Sequence, residues 1–212
     1  MCSSDLGNGE TVLQRGTANN PQMSLTKIND EELLMVFVGD VPTRSTANCR
    51  AVFYAIGDGQ TWSDPQILDD DGTVDDYPNV CDLGDGRLLV TWSSGDQVLP
   101  EDATLEDSLK NLDLKATFFH KDTKTFDEPV KLTRTTEEDY TADVMPHAAY
   151  DPETGRLLLT YTKTEYDDLA NPENFGKAVS VIPASATEDA GEDTAPVADG
   201  AHSTCNGDYC NI

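Results

Sequence analysis

Five carboxylates crowd into eight residues of this chain: Asp69, Asp70, Asp71, Asp75 and Asp76, grouped around Gly72. Hard oxygen ligands gathered on a turn are the chemistry of Ca2+ coordination, so these five are the candidate metal ligands and Ca2+ the candidate cofactor. The spacing differs from an EF-hand loop, which places ligands at alternate positions and ends on a glutamate at the twelfth. The same acids suit a solvated connector, the plainer reading of an acidic run.

Other chemistry is sparse. Cys205 and Cys210 stand as C-x4-C, and a zinc site would need two more ligands, of which His202 could be one. A local disulfide or two free thiols reads better. With Cys49 and Cys81 in addition, the cysteines do not decide the compartment. His120, His147 and His202 are scattered, no serine sits in a nucleophile elbow, and no glycine-rich phosphate loop follows a strand. Among 40 Asp and Glu a pair of carboxylates at any hydrolase spacing arises by chance. No catalytic residue is assigned. Trp62 and Trp92 could stack on sugars, but each recurs as an aromatic at a matching place, which points to core.

The charge narrows the partners. Forty acids against 14 Lys and Arg leave a net charge of -26. Such a surface repels phosphate backbones and anionic lipid, which excludes nucleic acid and argues against membrane binding. No apolar run approaches a membrane span. Asp outnumbers Glu by 27 to 13, and Asp favours turns over helices. The balance fits a loop-rich, all-β, extracellular protein.

The elements that must hold these residues repeat. Phe53–Leu68 (FYAIGDGQTWSDPQIL) and Ala116–Leu132 (ATFFHKDTKTFDEPVKL) share D-x-x-T-aromatic-[SD]-[DE]-P-x-x-L. Asp58-Gly59 and Asp122-Thr123 supply tight hairpin turns, and Pro65 and Pro129 belong on a sheet edge. Three further segments begin on a proline and continue into a Leu-Leu strand that ends in an aromatic. They start at Pro21, Pro78 and Pro146, and their aromatics are Phe37, Trp92 and Tyr161. The apolar runs Leu88–Val90 and Leu157–Leu159 predict burial on both faces. Between the units run acidic connectors, with Glu137, Glu138 and Asp139 answering the Asp69–Asp76 run. In Pro100–Leu112, Thr104 and Asp107 approximate a capping box, and Leu105, Leu109 and Leu112 would share a helical face, which predicts a short helical insertion.

Four antiparallel strands at a period near 60 predict a partial β-propeller of four-stranded antiparallel blades. The expected organisation is a non-native or disordered tail at 1–6, then a propeller portion over 7–185. The latter divides into a blade end at 7–20, blades at 21–76 and 77–144, and an incomplete blade at 145–185. Residues 186–212 read as an acidic disordered tail. The missing blades would lie elsewhere in a parent chain.

The D-G-x-T-W turn at Asp58–Trp62 resembles the Asp-box (BNR-type) repeat of sialidase-like propellers, S-x-D-x-G-x-T-W, with Ala55 in place of the Ser and Gly57 in place of the Asp. The second copy keeps only Thr125 and Phe126. With its D-D-G-T connector, proline strand and inserted helix, the pattern resembles repeats of large surface proteins of Gram-positive gut bacteria, over roughly 12–185. Sialidase-like enzymes use three arginines, a Tyr–Glu pair and an Asp. Of Arg15, Arg44, Arg50, Arg87, Arg134 and Arg156, two (Arg87 and Arg156) occupy equivalent repeat positions, which suits a structural role. The resemblance therefore implies a non-catalytic binding or display module of an extracellular bacterial surface protein, its ligand a glycan or a protein. The alternatives are a piece of a sialidase-type hydrolase without its catalytic residues, and a structural spacer.

Overall fold

A computed structural model describes residues 22–104, 107–109, 112–134, 141–165 and 178–183. The expected tails, the blade end at 7–20, the Cys205–Cys210 pair with His202, and Glu137–Asp139 lie outside the described residues.

Alternating and apolar runs separated by Asp/Gly turns fold here into three antiparallel sheets. The first holds β1 (Met23–Lys27), β2 (Leu33–Asp40), β3 (Arg50–Gly57) and β4 (Gln66–Ile67), in that spatial order. The second holds β5 (Asp75–Asp82), β6 (Arg87–Gly95), β7 (Leu112–His120) and β8 (Thr125–Phe126), with β9 (Val130–Lys131) also paired to β7. The third holds β10 (Thr141–Asp151), β11 (Arg156–Glu165) and β12 (Ala178–Pro183). Up-and-down meanders of this kind, laid face to face, are the expected partial propeller. The blade boundaries read from sequence, after residues 76 and 144, fall inside β5 and β10.

The turns follow from local chemistry. Asp58 Oδ1 accepts from the N–H groups of Gln60 and Thr61 at 2.8 and 2.7 Å, and Gly59 takes the left-handed φ of 89° that such a turn needs. Gly57 is forced by packing: a Cβ there would lie 2.2 Å from the Thr61 carbonyl oxygen and 2.6 Å from the Trp62 ring. Pro65 and Pro129 precede the short outer strands β4 and β9. The expected helix is smaller than its leucine spacing implied. Thr104 and Asp107 do cap each other, Thr104 N donating to Asp107 Oδ2 at 2.9 Å and Asp107 N to Thr104 Oγ1 at 3.2 Å. What they cap is a three-residue 3-10 turn, Asp107–Leu109, and Leu112 is already the buried first residue of β7.

The first and second sheets bury one apolar layer between them. Leu34, Val36, Val38 and Val52 meet Leu88, Val90, Trp92 and Phe119 there. Strand alternation sends Leu89, Leu114 and Ala116 to the other face of the second sheet, where they meet Ala148, Leu157, Leu159 and Tyr161. Trp92 is wholly buried and Tyr161 is 7% exposed, so both are core side chains. Trp62 lies half-buried against Phe37 and Phe53 on the far face of the first sheet. Burial on both faces holds for β6 and fails for β11, where Leu158 is 46% exposed. The reason is positional: β6 lies in a sheet packed on both sides, and no sheet is described beyond β11.

Gly57→Ala should cost about 2 kcal/mol, because neither the Thr61 carbonyl nor the Trp62 ring can retreat cheaply. Gly84→Ala, at a φ of 72° with open space around it, should cost about 1 kcal/mol from backbone strain alone. Urea denaturation of the two variants compares these effects directly.

Candidate functional site

Alternating strand direction places the β2–β3 loop, the β6–β7 loop and the connector from β4 to β5 at one end of the sheets. The acidic run lies on that connector and enters β5. Gly72 adopts a φ of 88°, and Thr73 closes the turn by donating its N–H and Oγ1 to Asp71 Oδ1 at 2.8 and 2.7 Å.

The five aspartates do not converge on one point, because protein cations already divide them. Lys115, in mid-β7 opposite Trp92, extends Nζ to Asp69 Oδ2 at 2.7 Å and Asp71 Oδ2 at 2.5 Å. Its side chain is only 9% exposed. Burial disfavours both charges, but the hydrogen bonds outweigh it, raising the Lys115 ammonium and lowering the Asp71 carboxyl. Arg44 in the β2–β3 loop donates Nη1 to the Thr73 carbonyl at 2.9 Å and Nη2 to Asp70 at 2.5 Å. Asp70 is largely exposed, so this contact orders the connector more than it stabilises the fold.

Asp75 and Asp76 are different, because both are buried. The Trp92 indole N–H donates to Asp75 Oδ1 at 3.1 Å. Burial pushes the Asp75 carboxyl up to about 7; Ser94 opposes that shift by hydrogen bonding, and the charges of Asp71 and Asp69 add to it. Asp76 is raised to about 6 by burial, against the pull of Arg50, whose Nη1 lies 2.6 Å from Asp76 Oδ2. A bulge between Asp76 and Asn79, with Tyr77 at a φ of 55°, redirects the strand immediately beyond them.

The third sheet repeats this arrangement. Met145 precedes its proline at a φ of 57°, β10 is bulged between Val144 and His147, and Asp143 stands three residues before Pro146 as Asp75 does before Pro78. Asp143 is buried and its carboxyl raised by that burial, with Thr133 and Lys163 opposing. Asp143, Lys115 and the role of Arg50 were not identified from sequence. The shared place before the proline was the available signal for Asp143.

At this end lies an open hollow of about 630 Å³, lined by Thr43, Arg44, Ser45, Thr46 and Asn48 of the β2–β3 loop, Gly72 of the connector, and Val98, Leu99 and Glu101 of the β6–β7 loop. Asn48 ties its two loops together: Leu99 N donates to Asn48 Oδ1 at 2.9 Å, and Asn48 Nδ2 donates to the Leu99 carbonyl at 2.8 Å. The histidines lie elsewhere, His120 2.9 Å from Asp127 and His147 3.2 Å from Asn79. Arg87 is held by Asp85 over the Phe118 ring. Cys49 and Cys81 are free thiols, both raised by burial. Among the described residues no group of three or more His, Cys, Asp or Glu is placed to hold a metal ion. A Ca2+ ion at Asp69 and Asp71 would have to displace the Lys115 ammonium.

Two measurements check this account. A carboxyl whose folded pKa is raised stabilises the fold below its unfolded pKa, and that stability is lost as pH rises through the folded value. For Asp75 the window runs from 3.8 to about 7. The linkage is worth about 4 kcal/mol at most. The melting temperature should therefore fall across that window, and Asp75→Asn should flatten the fall; parallel profiles would show that Asp75 does not titrate there. Melts of the unaltered chain with and without millimolar Ca2+ should coincide, since Lys115 already holds Asp69 and Asp71, and Arg44 holds Asp70.

No family model and no curated protein sequence matches the chain. Solved structures do, at low identity. "Hadza microbial sialidase Hz136" aligns over 77% of this chain and 34% of its own, at 13% identity and a TM-score of 0.54. An α-L-arabinanase of Penicillium chrysogenum, complexed with arabinobiose, aligns over 86% of this chain and 49% of its own, at 13% identity and 0.52. An α-L-arabinofuranosidase of Fusarium graminearum aligns over 91% and 54%, at 12% identity and 0.53. This chain thus spans from a third to about half of the length of those proteins. What they share with it is the β-propeller fold.

Proposed function

We propose that the chain is a non-catalytic, glycan-binding part of a β-propeller, carried by an extracellular bacterial surface protein. The observation that supports this most is the hollow at the connector end. Three hydroxyl side chains, Thr43, Ser45 and Thr46, line it together with Arg44, Glu101 and the apolar Val98 and Leu99. Hydroxyls and charged groups beside two apolar side chains match the mixed polar and apolar surface of a sugar. The Asn48–Leu99 clamp holds both loops before any ligand arrives, which lowers the ordering cost of binding.

Charge favours a neutral sugar. Arg44, the hollow's guanidinium, is already engaged by Asp70 and the Thr73 carbonyl, and Glu101 adds a negative charge. A carboxylated sugar would have to outcompete Asp70 on a chain of net charge -26.

The second reading, a piece of a propeller hydrolase, draws on Asp75 and Asp76. Carboxyls raised toward neutrality are what an acid catalyst requires. Their side chains are sealed, however, by Trp92 and Arg50 respectively.

A glycan array containing neutral and sialylated oligosaccharides separates these readings. The binding role predicts retention of neutral glycans without cleavage. Truncating Ser45 and Thr46 to Ala should weaken that retention about tenfold. Bond cleavage that is lost in Asp76→Asn would favour the hydrolase instead.

A further inference from the structure

Asn48 does more than join the two loops of the hollow. It is 3% exposed, and its neighbours give the side-chain amide a single orientation. Leu99 presents a donor and an acceptor to it: the Leu99 N–H goes to Oδ1 at 2.9 Å, and the Leu99 carbonyl takes one Nδ2 proton at 2.8 Å. A flipped amide would set N–H against N–H and oxygen against oxygen. The second Nδ2 proton goes to Ser45 Oγ at 2.7 Å. The Asn48 backbone N–H also reaches the Ser45 carbonyl at 3.0 Å, so these two residues are bonded twice within one turn of the β2–β3 loop.

This fixes the polarity of a hydroxyl. An amide nitrogen accepts no hydrogen bond, so Ser45 Oγ is the acceptor in its contact with Asn48 and keeps its own proton. Among the described residues no protein acceptor takes that proton. Ser45 is half-buried and lines the hollow. Thr43 and Thr46 differ: both are exposed, and no protein group among the described residues bonds either hydroxyl. Arg44 points its guanidinium elsewhere, to Asp70 and the Thr73 carbonyl.

We propose that Ser45 is the specificity-determining donor of the hollow: its hydroxyl, oriented by Asn48, hydrogen-bonds an acceptor oxygen of the bound sugar, a hydroxyl or ring oxygen. The inference rests on the glycan-binding reading above and names the contact that reading needs. An oriented hydroxyl loses less rotational freedom on binding than the unbonded hydroxyls of Thr43 and Thr46. Binding therefore selects for oxygen at this place. A ligand amine set against Ser45 faces donor with donor and leaves a hydrogen bond unmade.

Two arms test this on the full chain. Without ligand, side-chain amide NMR should show both Asn48 Nδ2 protons slow to exchange with solvent, and Ser45→Ala should shift one far more than the other. Two unmoved protons overturn the proposal. With the neutral oligosaccharides of the array as probe, Ser45→Ala should weaken retention about fivefold, and Thr43→Ala, Thr46→Ala and Ser45→Thr at most about twofold each. Asn48→Asp removes both Nδ2 protons, so Ser45 turns its own proton to the new carboxylate. The loss it causes should be about fivefold larger with Ser45 present than in Ser45→Ala, because loosening of the clamp is common to both backgrounds. Equal losses in the two backgrounds show a clamp alone and overturn the proposal, as does a threonine variant that costs as much as Ser45→Ala. If Asn48→Asp does not fold, the Ser45 and threonine variants decide. Retention indifferent to Ser45→Ala sinks this inference and leaves the glycan-binding reading standing; no retention by the unaltered chain sinks both.

Discussion

A twisted antiparallel sheet has two faces and cannot cover either of them itself, and this constraint organises everything else in the molecule. The second sheet shows the solution. Its strands alternate Leu88, Val90 and Trp92 toward the first sheet with Leu89, Leu114 and Ala116 toward the third. Strand β6 is therefore buried along nearly its whole length, Leu88 to Gly95, although its local periodicity is two. Trp92 and Phe119 are the largest fully buried side chains of the described residues, and truncating either would remove about 3–5 kcal/mol. Against that, the exposed ion pairs contribute about 0–1 kcal/mol each, so apolar contact between sheets holds the structure and the surface charges tune it.

Apolar packing cannot continue to the ends of the strands, because the chain must leave the sheets there and expose peptide groups. At the connector end the layer changes character across two rows of the same interface. Trp92 stands opposite Lys115, and the next row brings Ser94 opposite both Asp75 and Asp113. Trp92 joins the two regimes: its ring belongs to the apolar layer and its indole N–H to the Asp75 carboxyl. Because that carboxyl is raised to about 7, it enters the layer largely as a neutral group over the acid range, which avoids most of the cost of a buried anion. Asp76 has the opposite remedy, a guanidinium at 2.6 Å. The two neighbours in sequence thus answer the same burial in different ways, and the bulge at Tyr77 marks where the strand resumes regular pairing.

What could be read from the sequence follows the same division. The sheets were legible because their signals are local: Pro78 and Pro146 stand at equivalent places in the bulges inside β5 and β10, and Phe37, Trp92 and Tyr161 recur at one place in each meander. The Asp58 and Gly59 turn was legible for the same reason. The acidic run was visible as a cluster, but its partners were not. Lys115 lies 44 residues from Asp71, and Arg50 lies on a different sheet from Asp76. No spacing rule connects such residues, since only the stacking of sheets brings them together. The insertion misled for a related reason. Leucine spacing in Pro100–Leu112 counts Leu112 toward a helix, whereas its side chain is claimed by the cluster with Val74, Ala142 and Val144.

The scarcity of cations sharpens the meaning of each one. With 14 Lys and Arg among 40 acids, a random surface would leave most carboxylates unpaired and solvated, and a cation would find an acid almost anywhere. The informative cations are those that accept burial to reach a particular acid. Lys115 and Arg50 do so, with side chains 9% and 14% exposed, while Lys27 lies 3.9 Å from Asp30 with both side chains in solvent. Burying an ammonium or a guanidinium costs several kcal/mol unless its partner is well placed. Lys115 meets that cost with two carboxylates from the connector, and in doing so fixes the connector to the second sheet. The connector belongs to the chain's passage from the first sheet to the second, so this ion pair sets how the two sheets meet at the end that carries the hollow. The acidity that first suggested a cation site is therefore, at this place, the means by which the protein's own cation holds the connector whose Gly72 borders the hollow.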